Sequence, residues 1–356
     1  MSGIKNSDII TAFLNLHTPE KAMDSITQIA LGASVSHAIV GKKSGIKAAA
    51  WGAFLGTFPD LDVFIPMGND VDNFVYHRSF SHSFFVLGIL APLFAWLITK
   101  VHPNELVNKK KWKICAFVVL WTHIILDSFT VYGTQLFWPL STHPVSIGSI
   151  FIVDPVYTVP LLLGLIISLF ARKTRRATLA NNFGIVFSSV YLLWTLAAQY
   201  QMKQSALESL KVEKLNFSKV LSQPTPLNSL LWRFVAVSDD GYYVGYRSIF
   251  DKQPLVSFKK YPSQNQLLRN IQEHVPVTQL QNFTHGFYSV DEENKIIIIS
   301  DLRMGLEPKS YVFRFAVAEK MDSKIAPVSP YKLDDVRDLG KLDVLWKRIF
   351  DESVDF

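Results

Sequence analysis

The chain is nearly without cysteine. Cys115 is the single thiol in 356 residues, so no intrachain disulfide forms and a disulfide-stapled fold is excluded. A lone buried cysteine usually acts as a small hydrophobe. Charge is scarce too: Asp, Glu, Lys and Arg make up 19%, low for a soluble protein, against 49% hydrophobic residues and a mean hydropathy of +0.20. No Rossmann, P-loop or zinc-finger spacing occurs, and no internal repeat or low-complexity tract. Residues 1–22 hold only a weak amphipathic stretch, "DIITAFLNL", and no cleavable signal peptide is expected there. The net charge of +6 does not point to nucleic acid, because Lys and Arg cluster between apolar runs.

What the chain has is apolar length. Runs that span or nearly span a bilayer fall at 29–41, 46–66, 82–99, 114–131, 151–170 and 183–201. A spanning helix needs about 20 residues, so the first, short run reads as tilted or re-entrant. Between runs stand "GKKSGIK" (41–47), "KKKWK" (109–113) and "RKTRR" (172–176), which the positive-inside rule places in the cytoplasm. Alternation puts the connections near 67–81 and 132–150, and everything after about 201, outside. The expected fold class is an α-helical polytopic membrane bundle followed by a mostly β (α+β) soluble C-terminal domain. Its divisions are an N-terminal extension (1–22), a multispanning domain (23–201) and an extracytoplasmic domain (202–356). In the last, "LWRFVAVSDDGYYVGYRSIF" reads as a hairpin about Asp240-Gly241, "KIIIISD" and "YVFRFAVA" as strands, and "DVLWKRIF" as a helix.

Charged groups deep in a bilayer are costly, so those inside the apolar runs need a reason. Asp60 and Asp62 end the second run in "FPDLDVFIP". His77 follows in the connection and His82 opens the third run. His123 and Asp127 lie four apart in "THIILD", on one helical face. By the alternation all six fall at one membrane face, with Asp24, Gln28 and Asp154 at the same level. His and Asp are ligand types for zinc or another borderline divalent metal, and a catalytic site needs about three protein ligands plus water. Six candidates serve one metal with supporting partners, or two metals. Structural readings compete. Asp60 after Pro59 also suits a turn, His77 and Arg78 also suit solvated positions at the membrane interface, His123 and Asp127 also suit a packing pair, and Ser81 suits a helix cap. Asp154-Pro155 reads as an N-cap followed by Pro at N1, and His37 as structural. His102, His143, His274 and His285 show no partner spacing.

The stretches "MDSITQIALGA" (23–33), "WGAFLGTFPDLDV" (51–63), "HRSFSHS" (77–83), "THIILDSFTVYGTQLFWP" (122–139) and "FIVDPVYT" (151–158) together resemble the YdjM-like family of bacterial inner-membrane metal-dependent hydrolases. The resemblance extends to "PTPLNSLLWR" (224–233), "DGYYVGY" (240–246) and "ISDLR" (299–303). It implies a multipass inner-membrane protein. Comparison of related domains with zinc-dependent phospholipase C implies phosphoester substrates. The family's polar motif positions fall on Asp60, Asp62, His77, His82, His123 and Asp127. Some members carry His where this chain has Gln28, a poor zinc ligand that is expected to hydrogen-bond a ligand or water.

The expectation is a metal-dependent hydrolase at the outer face, holding zinc or manganese. Asp62 or Asp127 is the expected general base or orienting carboxylate, and Arg78 a contact for an anionic oxygen. The expected partners are the lipid bilayer and an amphiphilic or phosphoester substrate, with no nucleic acid. The alternatives are a structural metal site with a partner-binding outer domain, and a metal or proton transporter. The latter predicts polar residues continuing through the cytoplasmic halves, which here look apolar.

Overall fold

The structure is a computed structural model and describes residues 19–171, 174–307, 310–321, 324–334 and 340–354, with side chains from residue 26. Residues 1–18 of the expected N-terminal extension and the side chain of Asp24 therefore lie outside the described residues, whereas 19–22 belong to a helix. The N-terminal part is helical: α1 (Pro19–Ser44), α2 (Ile46–Thr57), α3 (Asp70–Tyr76), α4 (Phe84–Val101), α5 (Lys109–Phe129), α6 (Pro155–Phe170) and α7 (Arg175–Val212). Among the described residues three stretches are long and apolar enough to cross a membrane: α4, Pro103–Phe129 (which ends in α5) and α7. α6 is apolar but shorter, with 16 residues. The second apolar run folds as the 12-residue α2 and a 3-10 helix, Pro59–Phe64, and at about 1.5 Å per residue α2 is shorter than a bilayer core.

The chain forms two compact units. The first holds α1, α2 and residues to Val63, then Leu87–His123 and Pro155–Ser189. Its helices meet through small residues, as expected where lipid removes the hydrophobic drive for association. A Cβ on Gly52 would collide with the Gly32 carbonyl oxygen, and one on Gly56 with the carbonyl of Gln28. That close approach lets α1 and α2 pack backbone to backbone. Polar side chains add cross-helix bonds: the Thr27 and Thr158 hydroxyls are 2.8 Å apart, and Asn181 donates to the Ser34 carbonyl at 3.0 Å. Buried Glu105 accepts from Ser44, Asn108 and Trp112 at 2.7, 3.1 and 3.2 Å.

The second unit holds Phe64–Val86, Ile124–Asp154 and Val190–Phe356, and α5 contributes to both units. It is rich in sheet. β1 (Lys219–Pro224), β2 (Leu231–Ser238), β3 (Gly241–Ser248) and β4 (Phe258–Pro262) form one antiparallel sheet in chain order. The hairpin about Asp240-Gly241 is present, with Ser238 paired to Gly241. α8 (Val275–Phe283) leads to β5 (Tyr288–Glu293), β6 (Ile296–Asp301), β7 (Gly305–Leu306), β8 (Ser310–Tyr311), β9 (Arg314–Met321) and β10 (Lys324–Lys332). The second sheet runs β10-β9-β6-β5, and α9 (Gly340–Phe350) is the expected terminal helix.

The connection 64–86 is part of this unit's core. Its helix α3 starts on a reciprocal Asn69/Asp72 capping box. Phe74 then packs with Tyr132, Phe283, Phe313 and Phe315, with ring centroids 4.4–5.4 Å apart. The Tyr132 hydroxyl donates to the Phe74 carbonyl at 2.7 Å. Arg303, held by Asp301 at 2.8 Å, donates to the Tyr132 carbonyl at 3.0 Å.

His143 and His285, which share no sequence spacing, stand with rings 4.9 Å apart. Burial, then the charges of Arg303 and His143, push His285 down from 6.5 to about 4. The unfolded chain therefore binds this proton first. The contribution to stability is complete above pH 6.5 and falls on acidification toward pH 4. Thermal unfolding across that window should show a loss that His285→Asn reduces. Asn accepts the left-handed φ of +54° at this position.

Candidate metal centre

The site is built from short backbone pieces that end helices. After α2, Pro59 opens the 3-10 helix that carries Asp60 and buried Asp62. A second 3-10 turn, Phe80–His82, ends in buried His82 just before α4. α5 presents His123 and Asp127 one turn apart, both fully buried.

Asp60, His82, His123 and Asp127 each offer one ligand atom, and these four atoms lie within 4.8 Å of one another. Nε2 of His123 is 3.6 Å from Asp60 Oδ1, and Nε2 of His82 is 3.1 Å from Asp127 Oδ2. Both rings are held from behind through Nδ1. His123 Nδ1 donates to the Gly56 carbonyl at 2.7 Å. A carbonyl only accepts, so Nδ1 carries the proton and Nε2 presents its lone pair to the group. His82 Nδ1 lies 2.9 Å from Ser81 Oγ. This is the arrangement of metal-binding histidines, whose second nitrogen is tied to an outer partner.

The donor set fits a divalent cation. Two carboxylates and two imidazole nitrogens converge where water is scarce, and the carboxylates repel without positive charge between them. Ligands at about 2.1 Å from zinc stand about 3.4 Å apart in a tetrahedron, so small side-chain rotations close the group onto an ion. Arg78 supplies part of the balancing charge. Its guanidinium is buried, 3.6 Å from Asp127 Oδ1, 3.4 Å from the Thr130 hydroxyl and 5.4 Å from the centre of the Tyr132 ring. Its backbone is left-handed, with φ +63°, an uncommon conformation for a non-glycine residue.

Of the six expected ligands, four come together. Asp62 is buried on the 3-10 helix but is not one of the four. His77 is half-buried, its ring 6.2 Å from that of His82 and 5.5 Å from that of Tyr132. Gln28 donates to the His123 main-chain carbonyl at 3.2 Å. Asp154, just before α6, accepts from the Tyr191 hydroxyl at 2.8 Å. Sequence reasoning gave no role in the site to Gly56 or Arg303, and read Ser81 as a helix cap. Gly56 acts through its carbonyl, which no side-chain pattern reveals. Gln135 donates its backbone N–H to the Arg78 carbonyl and its side chain to that of Val75, at 2.9 and 3.1 Å. Arg303 braces the segment after α5; the only signal for it was its place in "ISDLR".

The sequence profile of the YdjM inner membrane protein family matches residues 23–202, just over half of the chain. The chain belongs to this family. That stretch carries all six expected ligands and Arg78, so in this YdjM family protein the four-residue group lies wholly within the family region. The family and the apolar helices together establish a membrane protein. The chain is also 24% identical over 188 residues to the uncharacterized protein YfhP of Bacillus subtilis (strain 168). That similarity covers 52% of this chain and 54% of YfhP, so the chain spans about half the length of this curated relative. No solved structure matches the chain.

Proposed function

We propose that the protein is a metal-dependent hydrolase acting at the outer face of the bacterial inner membrane on a phosphoester or lipid-like substrate. The observation that carries this reading is the buried convergence of Asp60, His82, His123 and Asp127, with both histidines oriented through Nδ1. Zinc, or manganese, is the proposed ion; when bound it lowers the pKa of a coordinated water toward about 7 and polarises the scissile group. Asp127 or Asp62 is the carboxylate proposed to accept a proton from the attacking water or to orient a ligand histidine. Arg78 contacts an anionic oxygen of the substrate while its ion pair with Asp127 holds it in place. The basic clusters at 41–47, 109–113 and 172–176 support a topology with six membrane segments and the sheet-rich part extracytoplasmic. A site at that depth suits an amphiphile with its head group at the metal and its tails in lipid.

The four-ligand count supports a second reading, a closed structural metal site in a non-enzymatic protein that binds a partner. Hydrolysis separates the two. Protein in detergent, loaded with zinc or manganese, is tested on phosphomonoester, phosphodiester and phospholipid substrates beside Arg78→Ala. The hydrolase reading expects turnover that drops at least about tenfold in the variant. Metal-loaded parent without turnover on the whole set would establish the structural reading instead.

A further inference from the structure

The connection after α5 is unusually apolar for a loop. Residues 128–153 contain no Asp, Glu, Lys or Arg. Within it, "LFWPL" (136–140) exposes Phe137 at 49% and Leu140 at 79%. This segment lies against the start of α4. The Phe84 amide donates to the Leu136 carbonyl at 3.0 Å, and the Phe84 and Phe137 rings are 5.9 Å apart. α4 itself exposes an apolar stripe, Phe85, Ile89, Leu93 and Trp96, as a lipid-facing helix does. Like that stripe, "LFWPL" exposes large apolar side chains, and it does so beside the first residue of α4.

Much of its backbone is also paired within the protein. The amides of Leu136, Trp138 and Leu140 donate to Thr134, Gln135 and Phe137 at 3.0, 3.2 and 2.8 Å, and residue 139 is proline. The Trp138 carbonyl accepts from the Ser83 hydroxyl. A loop in water has no need to satisfy its groups internally; one in lipid does.

We propose that Leu136–Leu140 inserts into the bilayer at the Phe84 end of α4, as an apolar rim beside the turn that carries His82. The inference does not depend on hydrolase activity. Aromatic side chains at this level favour the membrane interface.

The test uses full-length protein in phospholipid vesicles, in a Cys115→Ala background. Single cysteines, L140C and F137C, carry an environment-sensitive fluorophore, with D239C at the exposed β2–β3 turn as the aqueous reference. Insertion expects labels at 137 and 140 to be quenched several-fold more than the reference by spin-labelled phospholipid, and several-fold less by iodide. Labels that iodide quenches as strongly as the reference would overturn the proposal. Labels shielded from both quenchers would overturn it as well, because a protein partner or a second copy then covers the segment.

Discussion

A His123→Ala/Asp127→Ala variant should purify without metal, whereas the parent should carry about one divalent ion per chain. The double change leaves Asp60 and His82 of the four grouped ligands, below the three that a metal site ordinarily needs. Both substitutions lie on α5, and alanine is the best helix former, so the helix itself has no reason to break. Elemental analysis after purification without chelator gives the answer, with circular dichroism confirming the fold. A linked effect is expected in thermal unfolding. An ion at 100 times its Kd stabilises the folded protein by about 2.7 kcal/mol, so added zinc should raise the parent's Tm and leave the variant's unchanged. A folded variant that keeps the parent's metal content would place the ion elsewhere and remove the basis of the proposed chemistry.

Arg233→Ala should be the most destabilising single change in the sheet-rich unit. Arg233 is fully buried on β2, and its Nε donates to Glu307 at 3.2 Å while Nη1 donates to the Leu302 carbonyl at 2.9 Å. Glu307 also accepts from the Tyr246 and Tyr311 hydroxyls, each at 3.1 Å. Truncating the arginine strands a buried carboxylate, which costs about 3–5 kcal/mol. The loss should appear as a lower Tm and as faster amide hydrogen exchange in β2 and β3. Adding Glu307→Leu should restore part of the loss, because the uncompensated charge goes with it, but only part, since two tyrosine hydroxyls then lose their acceptor. Unchanged exchange in Arg233→Ala would mean that the pair contributes nothing net.

Periodicity and composition reveal elements whose cause is local. The hairpin at Asp240-Gly241, the strand "KIIIISD", the terminal helix and the apolar helices α4 to α7 follow from alternation, turn chemistry or run length, all of which are readable along the chain. The second apolar run misled on length: Pro59 and the two aspartates stop α2 after 12 residues, and the rest is a 3-10 turn. The connection near 67–81 contains a helix because Asn69 and Asp72 cap it and Phe74 has an aromatic cluster to fill. The cap is a local pattern of two residues three apart; the aromatic cluster is not local, since its other members lie some 60 to 240 residues away.

The sequence by itself determined that this is a membrane protein of mixed helical and sheet architecture, and which polar residues were out of place in apolar surroundings. Those conclusions rest on transfer free energies and residue spacing, which are properties of the chain alone. The tertiary structure alone decided which candidates meet. His123 and Asp127 share a helix face by spacing, but Asp60 and His82 join them only because one 3-10 helix starts, and another ends, where they do. It also decided which nitrogen of His123 faces the group, because the Gly56 carbonyl that holds the ring comes from 67 residues away. Ligand geometry depends on backbone groups brought together by packing, and backbone groups carry no residue-specific mark in a sequence.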